Sequence, residues 1–177
     1  MSSEDNKQKF ARVVAPHLGE ALALATWLTG NRADAEDVVQ ESSVRAYRAI
    51  HAFANGSARA WVLKIVRNTA YSWIDKNRSR TLVAFDDLNG EQQQSLEEAV
   101  AAPATAETDL IARADADRLS RAIADLPRDM REILILRDMQ GMEYREIADV
   151  VGVPIGTVMS RLSRARQRVV STLKTLD

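Results

Sequence analysis

Apolar residues recur along this chain at intervals of three and four, over long stretches that few glycines or prolines interrupt. Phe10, Val13, Val14, Leu18, Ala21, Ala25 and Leu28 mark a first amphipathic helix, which Gly30 is placed to end. Asp34 has the position of an N-cap, with Asp37 three residues on as a capping acid, for a second helix reaching about Ile50. That helix turns Ala35, Val38, Val39, Ser42, Ala46 and Ile50 inward and leaves Asp37, Gln40, Glu41, Arg45 and Arg48 outside. A third helix, Arg59 to about Arg78, has Val62, Ile65, Val66, Thr69 and Trp73 on its inner stripe and Lys64, Arg67, Asn68, Tyr71 and Arg78 on another face. Trp61, with its large apolar area near the start of this helix, reads as core.

Near the C-terminus the pattern is of two helices joined by a glycine turn. Tyr144 to Val151 places Ile147, Ala148 and Val151 on one face, and Gly152 stands where a left-handed residue is needed. Pro154 suits the opening of the next helix, whose inner stripe is Val158, Leu162, Ala165 and Val169. Thr157, Arg161, Arg164 and Arg168 repeat that spacing about a quarter-turn away, with Ser160 opposite the stripe. Asp and Glu are absent from Ile155 to Val170, so these guanidiniums are expected to stay free for phosphates and guanine edges. A short-headed, arginine-rich helix after a tight turn is the form of a DNA-reading helix-turn-helix.

Composition narrows the class. With 46% hydrophobic and 28% charged residues, the chain is expected to be globular, and its periodicity makes it all-α. It has no cysteine, which excludes disulfides and thiolate zinc sites, and its two histidines, His17 and His51, sit in no ligand-like cluster. No metal and no cofactor is expected. Nor is an enzyme, because no carboxylate pair, nucleophile-base set or phosphate loop is present. The polar, acidic N-terminus is unlike a signal peptide, and no apolar run approaches the roughly 18 residues of a membrane span, so a cytoplasmic chain without membrane insertion is expected.

A net charge of −1 conceals a segregation along the sequence. Residues 54–80 carry six basic groups and one acid, residues 81–117 one basic group and nine acids, and residues 118–177 eleven basic groups and eight acids. The acidic middle, rich in Gln and small residues, lacks sustained periodicity beyond a short helix near Leu96 to Val100, and reads as a flexible linker. Two small helical domains follow, residues 1–80 and 117–177, joined by a linker over 81–116. In the first, the loop His51 to Ala58 contains Asn55 and Gly56 and lies beside a helix bearing cations, an amide and Tyr71, a combination suited to holding an unpaired base.

Taken together, DAEDVVQESSVRAYRAI at 34–50, SARAWVLKIVRNTAYSWIDKNRSR at 57–80, and the stretch from Leu126 to Val169 resemble bacterial RNA polymerase sigma factors of the extracytoplasmic-function subgroup. The larger members' extra N-terminal region and middle helical domain have no room in this sequence. The resemblance implies a chain that docks on core RNA polymerase, at the clamp helices of its largest subunit, through Asp34, Asp37, Gln40 and Glu41. It implies that the loop with Ala52, Phe53, Asn55, Gly56 and Ser57, together with Lys64, Arg67, Asn68 and Tyr71, reads and opens the minus-ten promoter element. It further implies that Tyr144, Arg145, Thr157, Ser160, Arg161, Arg164 and Arg168 engage the minus-thirty-five element. Promoter DNA and an anti-sigma factor are the other implied partners, and the linker is implied to run toward the RNA exit path. Met159 stands where relatives often have Lys or Arg, and Ser163 is small where some have a bulkier residue. Two other classes compete: a helix-turn-helix regulator that acts without polymerase, and an interaction module that mimics a sigma factor.

Overall fold

The first apolar stripe belongs to two helices, because Pro16 interrupts it. The computed structural model describes residues 3–77 and 106–175. In it α1 (Ser3–Val13) stops, a 3-10 turn spans Ala15–His17, and α2 (Leu18–Thr29) begins afresh. Proline has no N–H to give to the preceding turn and its ring crowds that turn, so a single helix cannot pass through it. The single helix expected from Phe10 to Leu28 is corrected accordingly. Gly30 does end α2, in the left-handed region at φ 85°, with its N–H donating to the Thr26 carbonyl at 2.8 Å.

The next helix, α3 (Arg32–Ala49), is capped by Asn31 and not, as the sequence suggested, by Asp34. The Asn31 side-chain oxygen accepts from the Asp34 N–H at 2.8 Å, and its amide donates to the Asp34 carboxylate at 2.7 Å. Two residues thus satisfy each other across the first turn, in a reciprocal cap shifted three positions upstream of the expected one. A 3-10 turn at Ile50–Ala52 and a loop lead to α4 (Ala58–Lys76), whose N-cap Ser57 accepts from the Ala60 N–H at 3.2 Å.

After the undescribed segment come α5 (Ala106–Ala124), α6 (Arg128–Leu134) continued by a π turn at Ile135–Met139, α7 (Tyr144–Val151) and α8 (Ile155–Thr175). Every regular element among the described residues is a helix, as the periodicity required. The start of α5 at Ala106 falls inside the span read as linker. The rest of that span, the helix expected near Leu96 to Val100, and Arg78 lie outside the described residues.

Helices α2, α3 and α4 pack on one another, and α6, α7 and the end of α5 pack on α8. These two bundles do not stand apart: α4 packs on α7 and α2 on α6, and the buried apolar residues form one continuous core. The sequence had suggested one inner stripe on α4. Beside the stripe of Val62, Val66 and Thr69, Leu63, Ala70 and Ile74 are also buried, and with Arg67 these three form a second stripe at i, i+4, i+7 and i+11. Trp61 is half-buried, with its ring 5.2 Å from that of Phe53.

Polar groups stitch the two bundles together. Arg59 donates to Glu20 at 2.6 Å and to the Gln140 carbonyl, while the Gln140 amide donates to the Glu20 carbonyl at 2.9 Å. Arg131 donates to the carbonyls of Trp27 at 3.2 Å, of Leu126 at 3.0 Å and of Ala124. Burial holds its guanidinium below its ordinary value, and the carbonyls supply its hydrogen bonds without a paired carboxylate.

Candidate nucleic-acid and partner interface

Three surfaces bear the residues singled out in the sequence. On α3, Asp37, Gln40 and Glu41 are all exposed, whereas Asp34 is half-buried and tied into the cap with Asn31. Glu41 accepts from Arg45 at 2.8 Å, one turn on, and this bond, with the charge behind it, holds its carboxyl below the usual carboxylate range. The three residues border an open cleft of 680 Å³ whose far wall is Thr69, Ser72, Trp73, Lys76 and Asn77 of α4. Val44, an aliphatic side chain with 42% of its surface exposed, lies in the same cleft. A polar rim of mixed charge around an exposed apolar residue has the chemistry of a protein-docking surface.

The second surface is the loop before α4 and that helix's polar side. Gly56 has φ 114°, a conformation L side chains rarely adopt, and so permits the turn into Ser57. Ala52, Asn55, Gly56 and Ser57 are exposed; Phe53 is half-buried on Trp61, and its carbonyl accepts from Lys9 at 2.6 Å. Lys64 and Asn68 face outward. Arg67 and Tyr71 do not. Arg67 donates to both oxygens of Glu132, at 2.7 and 3.0 Å, and the Tyr71 hydroxyl donates to the same carboxylate at 2.8 Å. The Arg67 guanidinium also lies over the Tyr71 ring, 4.7 Å from its centroid.

Glu132 comes from α6, in the other bundle, and its side chain is 1% exposed. A carboxylate so buried is tolerable only with its lone pairs filled, and here three charge-assisted or hydroxyl donors fill them. Burial works against the Arg67 charge, but the Glu132 carboxylate more than offsets it, so the guanidinium is held above its ordinary value. Burial, then the negative charge of Glu132, also raises the Tyr71 phenol. Nearer the loop, Ser57 donates to Glu146 at 2.6 Å, and the other oxygen of Glu146 accepts from the Glu143 N–H at the start of α7.

The third surface is the helix pair α7 and α8, where the sequence reading holds closely. Gly152 is left-handed at φ 76°, and its N–H donates to the Ala148 carbonyl at 2.8 Å. Val158, Leu162, Ala165 and Val169 are buried, while Arg164 and Arg168 are exposed beside an open cleft toward Asp125. Thr157 and Ser160 are half-buried, the Ser160 hydroxyl donating to the Thr157 carbonyl at 3.1 Å. Arg145 is exposed; Tyr144 is half-buried under the Arg137 guanidinium, 4.7 Å from the ring centroid.

One expectation about α8 needs correction. The helix contains no acid up to Val170, but α6 and the π turn supply carboxylates from outside it. Arg161 lies 3.4 Å from Asp129, and Arg166 makes two bonds to Asp138, at 2.9 and 2.5 Å. Two guanidiniums expected to be free of carboxylates are therefore paired, which leaves Arg164 and Arg168 as the arginines of the exposed edge outside these pairs. Sequence reasoning also passed over Glu132. Its signal was an acid four residues before the buried Leu136 and beside the buried Ile133, a polar residue on an apolar stripe.

Among the described residues no three His, Cys, Asp or Glu side chains are gathered as metal ligands, and no helix is long and apolar enough to cross a membrane. Comparison with known proteins matches residues 13–80 to "Sigma-70 region 2" and residues 116–169 to "Sigma-70, region 4". The ECF RNA polymerase sigma-E factor of Haemophilus influenzae is 29% identical, over 98% of this chain and 92% of that one. The sigma-E factor of Salmonella typhimurium is 33% identical, over 77% and 72%. Among solved structures, the sigma factor RpoE of Bartonella quintana, crystallised with the anti-sigma factor NepR, superposes with a TM-score of 0.66 at 32% identity, covering 97% of this chain and 98% of that one. CnrH, solved with the cytosolic domain of CnrY, shares the fold, with a TM-score of 0.62 at 24% identity over 94% and 88%.

Proposed function

This chain belongs to the extracytoplasmic-function sigma factors of bacterial RNA polymerase, and we propose that it binds the core enzyme and directs initiation at a specific set of promoters. The observation that carries the reading is the presence of both sigma regions, in order, on one chain whose α8 exposes Arg164 and Arg168 behind a glycine turn. In this scheme the exposed Asp37, Gln40 and Glu41, with Asp34 at the head of α3, meet the clamp helices of the largest polymerase subunit. Thr157, Ser160, Arg161, Arg164 and Arg168, supported by Tyr144 and Arg145, engage the minus-thirty-five element from the major groove. Ala52, Phe53, Asn55, Gly56 and Ser57 with Lys64, Arg67, Asn68 and Tyr71 hold the opened minus-ten strand, the arginine for phosphate or base edge and the tyrosine for stacking.

Each surface alone offers few base contacts, and joining them on one chain makes the second contact intramolecular. An anti-sigma factor is the expected regulator, a reading supported by the solved RpoE bound to NepR. A regulator acting without polymerase leaves the region 2 match and the acidic face of α3 without a role. The test is transcription in vitro with purified core polymerase and a pool of genomic promoters. Promoter-specific transcripts that require the added chain establish the function; binding to duplex DNA without any transcript overturns it.

A further inference from the structure

The Arg67–Glu132–Tyr71 contact joins two parts of the chain with separate tasks, and it uses the groups that one of those tasks needs. Arg67 is engaged through two guanidinium nitrogens on the two carboxylate oxygens, the fork it would offer to a phosphate or a guanine. The Tyr71 hydroxyl is donated to the same carboxylate, and one face of its ring is covered by the guanidinium. At the neighbouring loop, Ser57 is engaged by Glu146 of α7. An acid supplied by the region 4 half therefore sits at each of two points on the surface assigned to the minus-ten strand.

The geometry points to region 4 as a built-in competitor of minus-ten DNA, with the Glu132 carboxylate occupying at Arg67 and Tyr71 the place of a nucleic-acid acceptor. This rests on the minus-ten role proposed above. It follows that the chain must open in order to work. Elements some 25 base pairs apart are separated by about 85 Å of duplex at 3.4 Å per base pair, whereas a compact chain of this length has a radius of gyration of about 16 Å. The structure, with one core running through both halves, cannot reach both elements at once. The 28 residues from 78 to 105 give a contour of at most about 100 Å, enough for the halves to separate without breaking either bundle. Opening exposes Arg67 and Tyr71 together with Glu132, so an anionic strand and the carboxylate compete for one set of donors. Closure then scales down the free chain's affinity for DNA to the fraction of molecules that are open.

The experiment uses the full chain and a fluorescein-labelled single-stranded oligonucleotide carrying the minus-ten sequence of a promoter recovered in the transcription assay. Glu132→Gln keeps the shape but removes the charge that holds Arg67, and Gln140→Ala removes a bond between the halves without touching any residue of the minus-ten surface. Small-angle scattering should show a larger radius of gyration for Glu132→Gln, and anisotropy should show about tenfold tighter oligonucleotide binding, the gain expected when the open fraction rises from a tenth to nearly all. Gln140→Ala should shift both readouts in the same direction by a smaller amount, and carries the test if Glu132→Gln loses its helical circular dichroism. The double variant Glu132→Gln with Arg67→Ala should stay open but lose the gain in binding. If folded variants neither expand nor bind more tightly, competition is wrong, although a loss of promoter opening by Arg67→Ala in the holoenzyme would leave the minus-ten reading standing. If they expand and bind DNA no better, with or without Arg67, the minus-ten reading of this residue fails and the competition fails with it.

Discussion

The guanidinium of Arg166 meets the carboxylate of Asp138 at two points, 2.9 and 2.5 Å, and fastens the middle of α8 to the π turn that precedes the helix pair. Asp138 holds the Arg166 charge above its ordinary value through this hydrogen bond. The pair is nevertheless solvated, with the arginine side chain 51% exposed, so its worth lies in where it keeps a positive charge more than in stability.

Replacing Asp138 by Ala is therefore expected to cost less than about 1 kcal/mol of stability. It frees one guanidinium on the DNA-facing half, so duplex DNA binding should strengthen and its logarithmic salt dependence should steepen by about one phosphate contact. Binding isotherms over a range of salt concentrations check this; an unchanged slope would mean that Arg166 points away from the duplex even when unpaired.

Among the described residues no carboxylate tethers Arg164 in this way, and it is exposed on the same helix. Arg164→Ala should lower use of a good promoter by the equivalent of about 1 to 3 kcal/mol, roughly 5- to 150-fold, and relax the preference at one position of the upstream element. Transcription from a set of single-base promoter variants distinguishes the two modes of contact. An equal loss on every variant assigns the residue to phosphate.

On α3, charge reversal at Asp37 and Glu41 together should weaken binding to core polymerase while leaving the helical bundles folded. Both side chains are exposed, and Glu41 gives up only a solvated one-turn pair with Arg45, so the helical bundles should keep their stability. A quantitative pull-down with core enzyme, alongside a thermal melt, separates docking from folding. Undiminished capture would remove this face from the interface.

The two glycines around the helix turn should respond in opposite ways. A Cβ at either position would meet nothing within 4 Å, so only the backbone decides. Gly152 has φ 76°, and Gly152→Ala should destabilise by about 1 to 2 kcal/mol. Gly156 lies in the first turn of α8, and Gly156→Ala should be neutral or stabilising by up to about 1 kcal/mol. Denaturant melts of the two variants measure the difference directly.

What the sequence by itself determined is what depends on near neighbours along the chain. The stripe of Val158, Leu162, Ala165 and Val169, the turn at Gly152 and the outward set Asp37, Gln40 and Glu41 follow from a period of 3.6 residues and from the conformations open to glycine, and the structure has them as read. Even the two local misreadings had local causes: Pro16 lies in an apolar repeat that continues in register across it, and Asn31 caps from three residues before the acid taken as the cap. Only the tertiary structure decided which charges remain available. Arg67 and Glu132 are 65 positions apart, and Arg166 and Asp138 are 28 apart. Counting acids along one helix registers partners a turn away and is blind to those brought by another. The docking of α4 on α7 and of α2 on α6 buries the second stripe of α4, turns Arg67 and Tyr71 from solvent to Glu132, and makes one core of what the linker had divided into two.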